Sequence, residues 1–214
     1  MTRYDRRIQV LAACLSALAG YVDAMGFIKL GGFFVAFMSG NSTQLAVGLA
    51  RGAGGAVTAA WLVSAFVLGV ISGSLAGRIS ARQRRRIVLL LVATLLAGAA
   101  GLGGGGTIGA ATAMAMAMGA ENAVFEHEGD VHIGLTYMTG TLVKLGQRIA
   151  AALAGGDPAA CLPYFLLWLG LILGATAGAA LYPYLGLGGL WIAAAAALLL
   201  AAVIPEAVPA SGKV

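Results

Sequence analysis

Eight long apolar runs, separated by short glycine-rich or charged breaks, take up almost the whole chain. A helix needs about 20 predominantly apolar residues to cross the hydrocarbon core of a bilayer, and each run comes near that length. Only 10% of the 214 residues are charged, whereas an ordinary soluble domain has roughly 25%. Too few charged groups are present to cover a water-soluble globule, so the sequence predicts an all-α integral membrane protein in a lipid bilayer. The runs cover residues 8–28, 32–50, 56–77, 87–102, 106–125, 132–152, 159–181 and 186–204.

The basic residues favour a membrane protein rather than a protein that binds nucleic acid. The formal net charge is +5, but five of the 13 basic residues lie in one short segment, at positions 78, 82, 84, 85 and 86. Lys and Arg are concentrated in the cytoplasmic loops of membrane proteins. We therefore expect a multi-pass protein of the bacterial inner membrane. Its N-terminus, which carries Arg3, Arg6 and Arg7, and its Arg78–Arg86 loop should both face the cytoplasm.

The first apolar run also has features of a cleaved signal peptide, because arginines precede an apolar stretch that ends near Ala17-Leu18-Ala19, a sequence like a cleavage site. Residues 11 to 14 resemble a lipoprotein signal, but only three residues separate them from the arginines, too few for an apolar core. The run continues to residue 28, beyond either cleavage site, so the sequence favours a first helix that is retained.

The chain repeats itself at a period near 100 residues. Residues 38–41 (Met-Ser-Gly-Asn) match residues 138–141 (Met-Thr-Gly-Thr), and residues 68–73 match residues 169–174. A third pair, residues 20–24 and 119–123, matches one residue out of phase. Three matched blocks in the same order indicate internal duplication. We predict a single membrane domain, residues 1–214, built from two four-segment repeats that cover about 1–103 and 104–214.

The arginines then constrain the topology of the repeats. Three apolar runs separate the N-terminal arginines from the Arg78–Arg86 loop, yet an even number of crossings must separate two cytoplasmic segments. The run 32–50 is interrupted at its centre by the polar residues 39–44, which predicts two half-helices joined by a break and entering the membrane from one face. Each repeat then has three transmembrane helices and one re-entrant segment, and the second repeat is inverted. The alternative is eight full crossings with parallel repeats.

The sequence resembles the YoaK family of small bacterial inner-membrane proteins, a domain of unknown function. The resemblance rests on residues 20–27 (Gly-Tyr-Val-Asp-Ala-Met-Gly-Phe), on residues 31–43, and in the second repeat on Asn122-Ala123 and residues 136–142. It covers roughly residues 10–204. It implies an integral membrane protein with several spans, from a family that is sometimes labelled a small-molecule flippase or transporter. It brings no catalytic residues, and Glu121 and the acidic stretch 126–128 depart from the family pattern.

The two interrupted runs are the strongest functional signal. In the inverted arrangement their tips approach the membrane midplane from opposite faces, and each break exposes the N-terminal amides of the following half-helix, which attract anions and carbonyl oxygens. Several transporter folds build a midplane site from discontinuous helices of this kind. We therefore predict a transporter or flippase of a small polar or anionic solute. The predicted solute-binding residues are Asp23, Ser39, Asn41, Thr43, Asn122, Thr139, Thr141 and Lys144.

Other interpretations of these residues stay open. Asp23 can be an interfacial carboxylate or can bind backbone that the neighbouring hairpin leaves unpaired, and the hydroxyl groups can bond to their own helices. The chain is then a membrane scaffold or sensor that moves no solute. We predict no enzyme and no cofactor, because no catalytic constellation lies in the apolar runs. We predict no metal centre, because the spacing from Glu126 to His132 matches no established site. Glycines at a spacing of four indicate close helix contact and permit a homodimer.

Overall fold

The computed structural model describes residues 6–80, 82–103, 106–127, 130–131 and 134–203, and this part of the chain is almost entirely helical. Short 3-10 turns lie at Asn122–Phe125, Pro158–Cys161 and Gly186–Gly189. A two-residue antiparallel pairing joins Glu126–His127 to Asp130–Val131. The prediction of an all-α protein is confirmed. The helices are α1 (Arg6–Lys29), α2 (Met38–Arg51), α3 (Gly55–Arg78), α4 (Arg84–Leu102), α5 (Thr107–Glu121), α6 (Met138–Leu153), α7 (Leu162–Leu185) and α8 (Leu190–Val203).

Four helical stretches among the described residues are long and apolar enough to cross a membrane: Arg6–Lys29, Gly55–Arg78, Arg84–Leu102 and Pro158–Val203. The last has 46 residues, and at about 1.5 Å per residue it is roughly twice as long as the 30 Å hydrocarbon core requires. It turns back at Gly186, whose φ of +52° ends α7 before α8 begins. The outer faces of these helices leave many large apolar side chains exposed, as expected for surfaces that contact lipid.

Small residues bring α1 and α7 into backbone contact. Gly170, Gly174 and Gly178 lie against the carbonyl groups of residues 13, 17 and 21, and a Cβ atom at Gly170 would stand 2.6 Å from the Ala13 carbonyl oxygen. The residue numbers increase together along the two helices, from 13 to 21 in α1 and from 170 to 178 in α7, so the helices run in the same direction. The glycine spacing therefore predicted this close contact correctly, and it lies within one chain.

The same kind of contact joins α3 to α5. Gly73 lies against Ala120, where an added Cβ would stand 2.7 Å from the Ala120 Cα atom, and Gly69 lies against Met116. The numbers again ascend together, so α3 and α5 are parallel. The buried core lies mainly among α1, α4, α5 and α8, whose inward faces carry alanine, leucine, valine and methionine.

The chain reverses direction after α1. Gly31 and Gly32 adopt φ values of +64° and +108°, which side chains other than glycine rarely allow. The segment that follows runs back along α1, since the Val35 side chain fills the space beside Gly26. Phe33 then reaches Gly55, the first residue of α3, with its ring 3.2 Å from the position of an added Cβ. The end of α1 and the start of α3 therefore lie at the same end of the bundle.

The prediction of two half-helices with a break at residues 39–44 is wrong. The non-helical backbone ends at Phe37, and Ser39, Gly40 and Asn41 form the first turn of a single helix, α2. The second repeat behaves in the same way, because α6 begins at Met138 and Thr139 to Thr141 are already helical. Small polar residues suit the first turn of a helix as well as a break, so composition alone did not separate the two structures.

Candidate functional site

The N-terminal ends of α2 and α6 face one another across a cavity of about 400 Å³. Ser39 from α2 and Thr139 and Gly140 from α6 line it, together with the backbone that leads into each helix. Two of the predicted solute-binding residues, Ser39 and Thr139, are thus brought together as the repeat predicted. The full lining is Ala36, Phe37, Met38, Ser39, Phe66, Thr136, Tyr137, Met138, Thr139 and Gly140.

Both helices present their positive ends to this cavity. The first amides of an α-helix lack partners within the helix, and neither α2 nor α6 has a side-chain cap on its first turn. The partial positive charge of each helix N-terminus favours an anion or a carbonyl oxygen. No acidic side chain lines the cavity among the described residues. The exposed hydroxyl-bearing residues Ser39 and Thr139 add groups that both donate and accept hydrogen bonds.

Asp23 does not reach this cavity. Its Oδ1 atom accepts hydrogen bonds from the backbone N–H groups of Val35 and Ala36, each at 2.7 Å. The carboxylate therefore holds the returning segment against α1. It lines a separate cavity of about 260 Å³ between α1 and α7, so the predicted single site that contains both Asp23 and the helix tips does not form.

Asn41 is completely buried and also holds the returning segment. Its Oδ1 atom accepts a hydrogen bond from the Phe34 N–H at 3.0 Å, and its Nδ2 atom donates one to the Phe34 carbonyl at 2.6 Å. Because Phe34 bonds to both ends of the amide, Asn41 holds the segment that leads into α2. Asn41 does not line the cavity between α2 and α6.

Asn122 plays a comparable part in the second half of the chain. Its Oδ1 atom accepts a hydrogen bond from the Thr136 hydroxyl at 3.3 Å, and its Nδ2 atom donates one to the Met118 carbonyl at 3.0 Å. Thr136 belongs to the backbone that leads into α6. Asp23 and Asn122, which the repeat matches, therefore each hold the segment that precedes a short helix. Thr141 is buried and lies outside the cavity lining.

The last two predicted residues lie away from the cavity. The Thr43 hydroxyl donates to the Ser39 carbonyl at 3.2 Å, which is the bond to its own helix that the alternative interpretation described. Lys144 is exposed on α6. Its repeat counterpart Gln44 donates to the Gly32 carbonyl at 2.7 Å, so it fastens the turn after α1.

Of the ten lining residues, only Ser39 and Thr139 were among the predicted solute-binding residues, and the unpredicted ones include Thr136, Tyr137 and Phe66. Thr136 and Tyr137 stand at the positions that match Ala36 and Phe37, so extending the repeat by two residues would have found them. Phe66 comes from α3, and nothing in its sequence context separates it from the other apolar residues of that helix.

The acidic stretch after α5 forms an ion pair with the arginine loop. The Glu126 carboxylate lies 3.1 Å from an Arg84 nitrogen and accepts a hydrogen bond from the Ser74 hydroxyl. Burial alone would raise the pKa of Glu126, but the hydrogen bonds from Ser74 and Arg84 and the charges of Arg84 and Arg78 hold that pKa below its usual value. Glu128 and His132, which the metal interpretation involved, lie outside the described residues.

Comparison with known proteins places the chain in a family. A family described as "Protein of unknown function (DUF1275)" matches residues 11–203. The chain is also similar to the UPF0700 transmembrane protein RA0705 of Rhizobium meliloti (strain 1021), with 40% identity over 192 residues that cover 90% of this chain and 84% of that protein. No solved structure matches. The resemblance to the YoaK proteins is confirmed, and a transmembrane protein is what both the relative and the apolar helices indicate. The chain belongs to the DUF1275 family of membrane proteins.

Proposed function

We propose that this protein is a transporter or flippase for a small polar or anionic solute, and that the cavity between α2 and α6 is its binding site. The observation that carries the proposal is the convergence of two helix N-termini on one cavity inside the bundle. In several transporter folds, helix N-termini that follow non-helical backbone point at the solute near the membrane midplane, and α2 and α6 each begin after such backbone. The lining supplies hydroxyl groups and positive helix ends but no acidic side chain among the described residues, which suits a neutral polar or anionic solute.

We further propose that the two halves are inverted repeats, with residues 30–54 and 134–161 as re-entrant segments. The helix pairing supports this arrangement. The first helix of each half packs in parallel on the third helix of the other half: α1 packs on α7, and α5 packs on α3. The return of the chain from the end of α1 to the start of α3 at one end of the bundle supports a first segment that does not cross.

The proposed orientation places the arginine-rich end in the cytoplasm of a bacterial cell. Because α1 ends where α3 starts, Arg6 and Arg7 at the start of α1 lie at the same end of the bundle as the Arg78–Arg86 loop. The positive-inside rule then favours the cytoplasm for this end. The exposed Lys144 and Arg148 of α6 approach the same side in the inverted arrangement.

Filling the cavity tests the proposal. A Cβ atom at Gly140 would meet no other atom within 4 Å, so Gly140→Leu should fold normally and occupy the cavity. The purified protein is reconstituted in liposomes, and solute entry is followed by light scattering. Glycerol and urea serve as neutral probes, and potassium formate and acetate with valinomycin serve as anionic probes. We expect at least one class to enter faster than in protein-free liposomes, and Gly140→Leu to abolish the difference.

Gly146 provides the matched control. It lies on the same helix, is exposed, and likewise has no atom within 4 Å of an added Cβ, but it does not line the cavity. Gly146→Leu should transport like the unmodified protein. Equal transport by the two leucine variants, or no acceleration of any probe, would contradict the proposal and favour a scaffold or sensor that moves no solute.

A further inference from the structure

The cavity that Asp23 lines has a composition different from that of the cavity between α2 and α6. It lies between α1 and α7 and has a volume of about 260 Å³. Small residues, Gly20 and Ala24 on α1 and Ala175 on α7, form one wall of it. The rings of Phe27 and Phe34 form another wall, with their centroids 4.9 Å apart.

Asp23 supplies the charged group of this cavity. Its Oδ1 atom accepts hydrogen bonds from the backbone N–H groups of Val35 and Ala36, and such N–H donors stabilise a carboxylate. Among the described residues no lysine, arginine or histidine forms an ion pair with Asp23; the ion pair found in this part of the chain joins Arg84 to Glu126. A carboxylate within a membrane helix normally faces a partner or a cavity, because an uncompensated charge there is costly.

We propose that this cavity binds an organic ammonium group, with the Asp23 carboxylate as counter-ion and the wall formed by the Phe27 and Phe34 rings beside the cation. Aromatic faces attract ammonium groups, most strongly where water is excluded. The apolar walls disfavour a hydrated inorganic cation, and the carboxylate disfavours an anion. This site favours a cation, whereas the cavity between α2 and α6 favours a neutral or anionic solute. The proposal does not depend on whether that other cavity binds a solute.

The ammonium group can come from a free amine or from the headgroup of a bilayer lipid such as phosphatidylethanolamine. Asp23 lies six residues before the end of α1, which is about 9 Å of helix. This depth is within reach of a headgroup that dips between α1 and α7, and it is equally open to an amine that dissolves in the membrane.

Binding of a simple cation tests the proposal. The full chain is purified in maltoside detergent, and binding of benzyltrimethylammonium is measured by ligand-observed NMR titration. Neopentylbenzene, in which carbon replaces the charged nitrogen, is the uncharged control. We expect saturable binding of the cation, little binding of the control, and at least about tenfold weaker cation binding in Asp23→Asn because the ion pair is lost.

A second variant keeps the test valid if Asp23→Asn folds poorly, since Asp23 also holds Val35 and Ala36. Ala175→Phe fills the cavity and leaves Asp23 and its hydrogen bonds in place. Ala177→Phe, on an exposed face of the same helix, is its control. Ala175→Phe should abolish cation binding and Ala177→Phe should not. Absence of saturable binding, equal binding of the uncharged analogue, or binding unaffected by Ala175→Phe would overturn the proposal.

The source of the ammonium group is settled in nanodiscs. If a lipid headgroup occupies the site, benzyltrimethylammonium binds about tenfold more weakly in phosphatidylethanolamine than in the uncharged lipid digalactosyldiacylglycerol, because the headgroup competes for it. If a free amine is the ligand, the affinity is the same in both lipids. In either lipid, Ala175→Phe should remove the saturable component.

Discussion

Asp23 and Asn41 act on the same short stretch of backbone. Asp23 holds the amides of Val35 and Ala36, and Asn41 holds both backbone groups of Phe34. Non-helical backbone survives at membrane depth only where other protein groups satisfy its hydrogen bonds. These two side chains therefore hold the backbone that leads into α2, and Asp23 does so while it also lines the cavity between α1 and α7.

The buried amide of Asn41 gives the first prediction. Asn41→Leu should lower the free energy of unfolding by about 2–4 kcal/mol, because it leaves a buried donor and a buried acceptor of Phe34 without partners. Thermal unfolding in detergent measures the change. Thr43→Val, on the exposed side of the same helix, should change stability by less than about 0.5 kcal/mol. Equal effects of the two substitutions would contradict the part assigned to Asn41.

Glu121 gives a prediction of opposite sign. It is completely buried at the end of α5, and neither of its carboxyl oxygens has a hydrogen-bond partner among the described residues. Burying an unpartnered polar group costs about 1–3 kcal/mol, so Glu121→Met should raise the unfolding temperature. Glu126→Met, which removes a carboxylate paired with Arg84, should lower it. A Glu121→Met variant less stable than the unmodified protein would mean that Glu121 has a stabilising partner.

At the scale of the helices, the glycines of α7 decide how closely it packs. Gly174 contacts the Ala17 backbone directly, so Gly174→Ala should push α1 and α7 apart and cost about 1–3 kcal/mol. Gly98 of α4 has no atom within 4 Å of an added Cβ, so Gly98→Ala should be neutral or should stabilise the helix by up to about 1 kcal/mol. Denaturant unfolding of the two variants separates packing from helix propensity; similar results would contradict the packing argument.

The sequence predicted the elements better than it predicted their ends. Each of the eight helices in the described part of the chain falls largely within one apolar run, because helices that pack inside a membrane protein are rich in apolar residues. The position of the break in 32–50 was wrong because the polar residues 39–44 belong to a helix start, while the non-helical stretch before it is mostly aromatic and aliphatic. That stretch is held by Asp23, 12 residues away from Val35 in the chain. Such a distant hydrogen bond leaves no local pattern.

Part of the candidate site was predictable from the sequence. The match between residues 38–41 and 138–141 predicted similar positions for Ser39 and Thr139, and both line one cavity. The repeat could not show which polar side chains turn inward. Asp23, Asn41 and Asn122 lie close to the tips in sequence, but their hydrogen bonds are made with backbone.

At the scale of the whole molecule, the proposed topology predicts which loops are accessible from which side of the membrane. In a variant without Cys14 and Cys161, single cysteines are placed at Arg51 and at Gln83. Arg51 ends α2 and Gln83 precedes α4, at opposite ends of α3. A membrane-impermeant maleimide applied to intact cells should label position 51, and should label position 83 only after permeabilisation. Labelling of position 83 in intact cells would contradict the proposed orientation, in which the arginine-rich end of the bundle faces the cytoplasm.

The exchange of partners between α1, α3, α5 and α7 has a consequence for how the protein is made. The close glycine contacts of α1 are with a helix from the other half of the chain, and so are those of α5. When the first four helices leave the ribosome, α7 and α5, which α1 and α3 contact through glycines, have not yet been made. In the lipid, α1 must therefore remain without its close partner until α7 has been made, whereas α3 can pack on α2 and α4 at once and on α5 as soon as that helix follows.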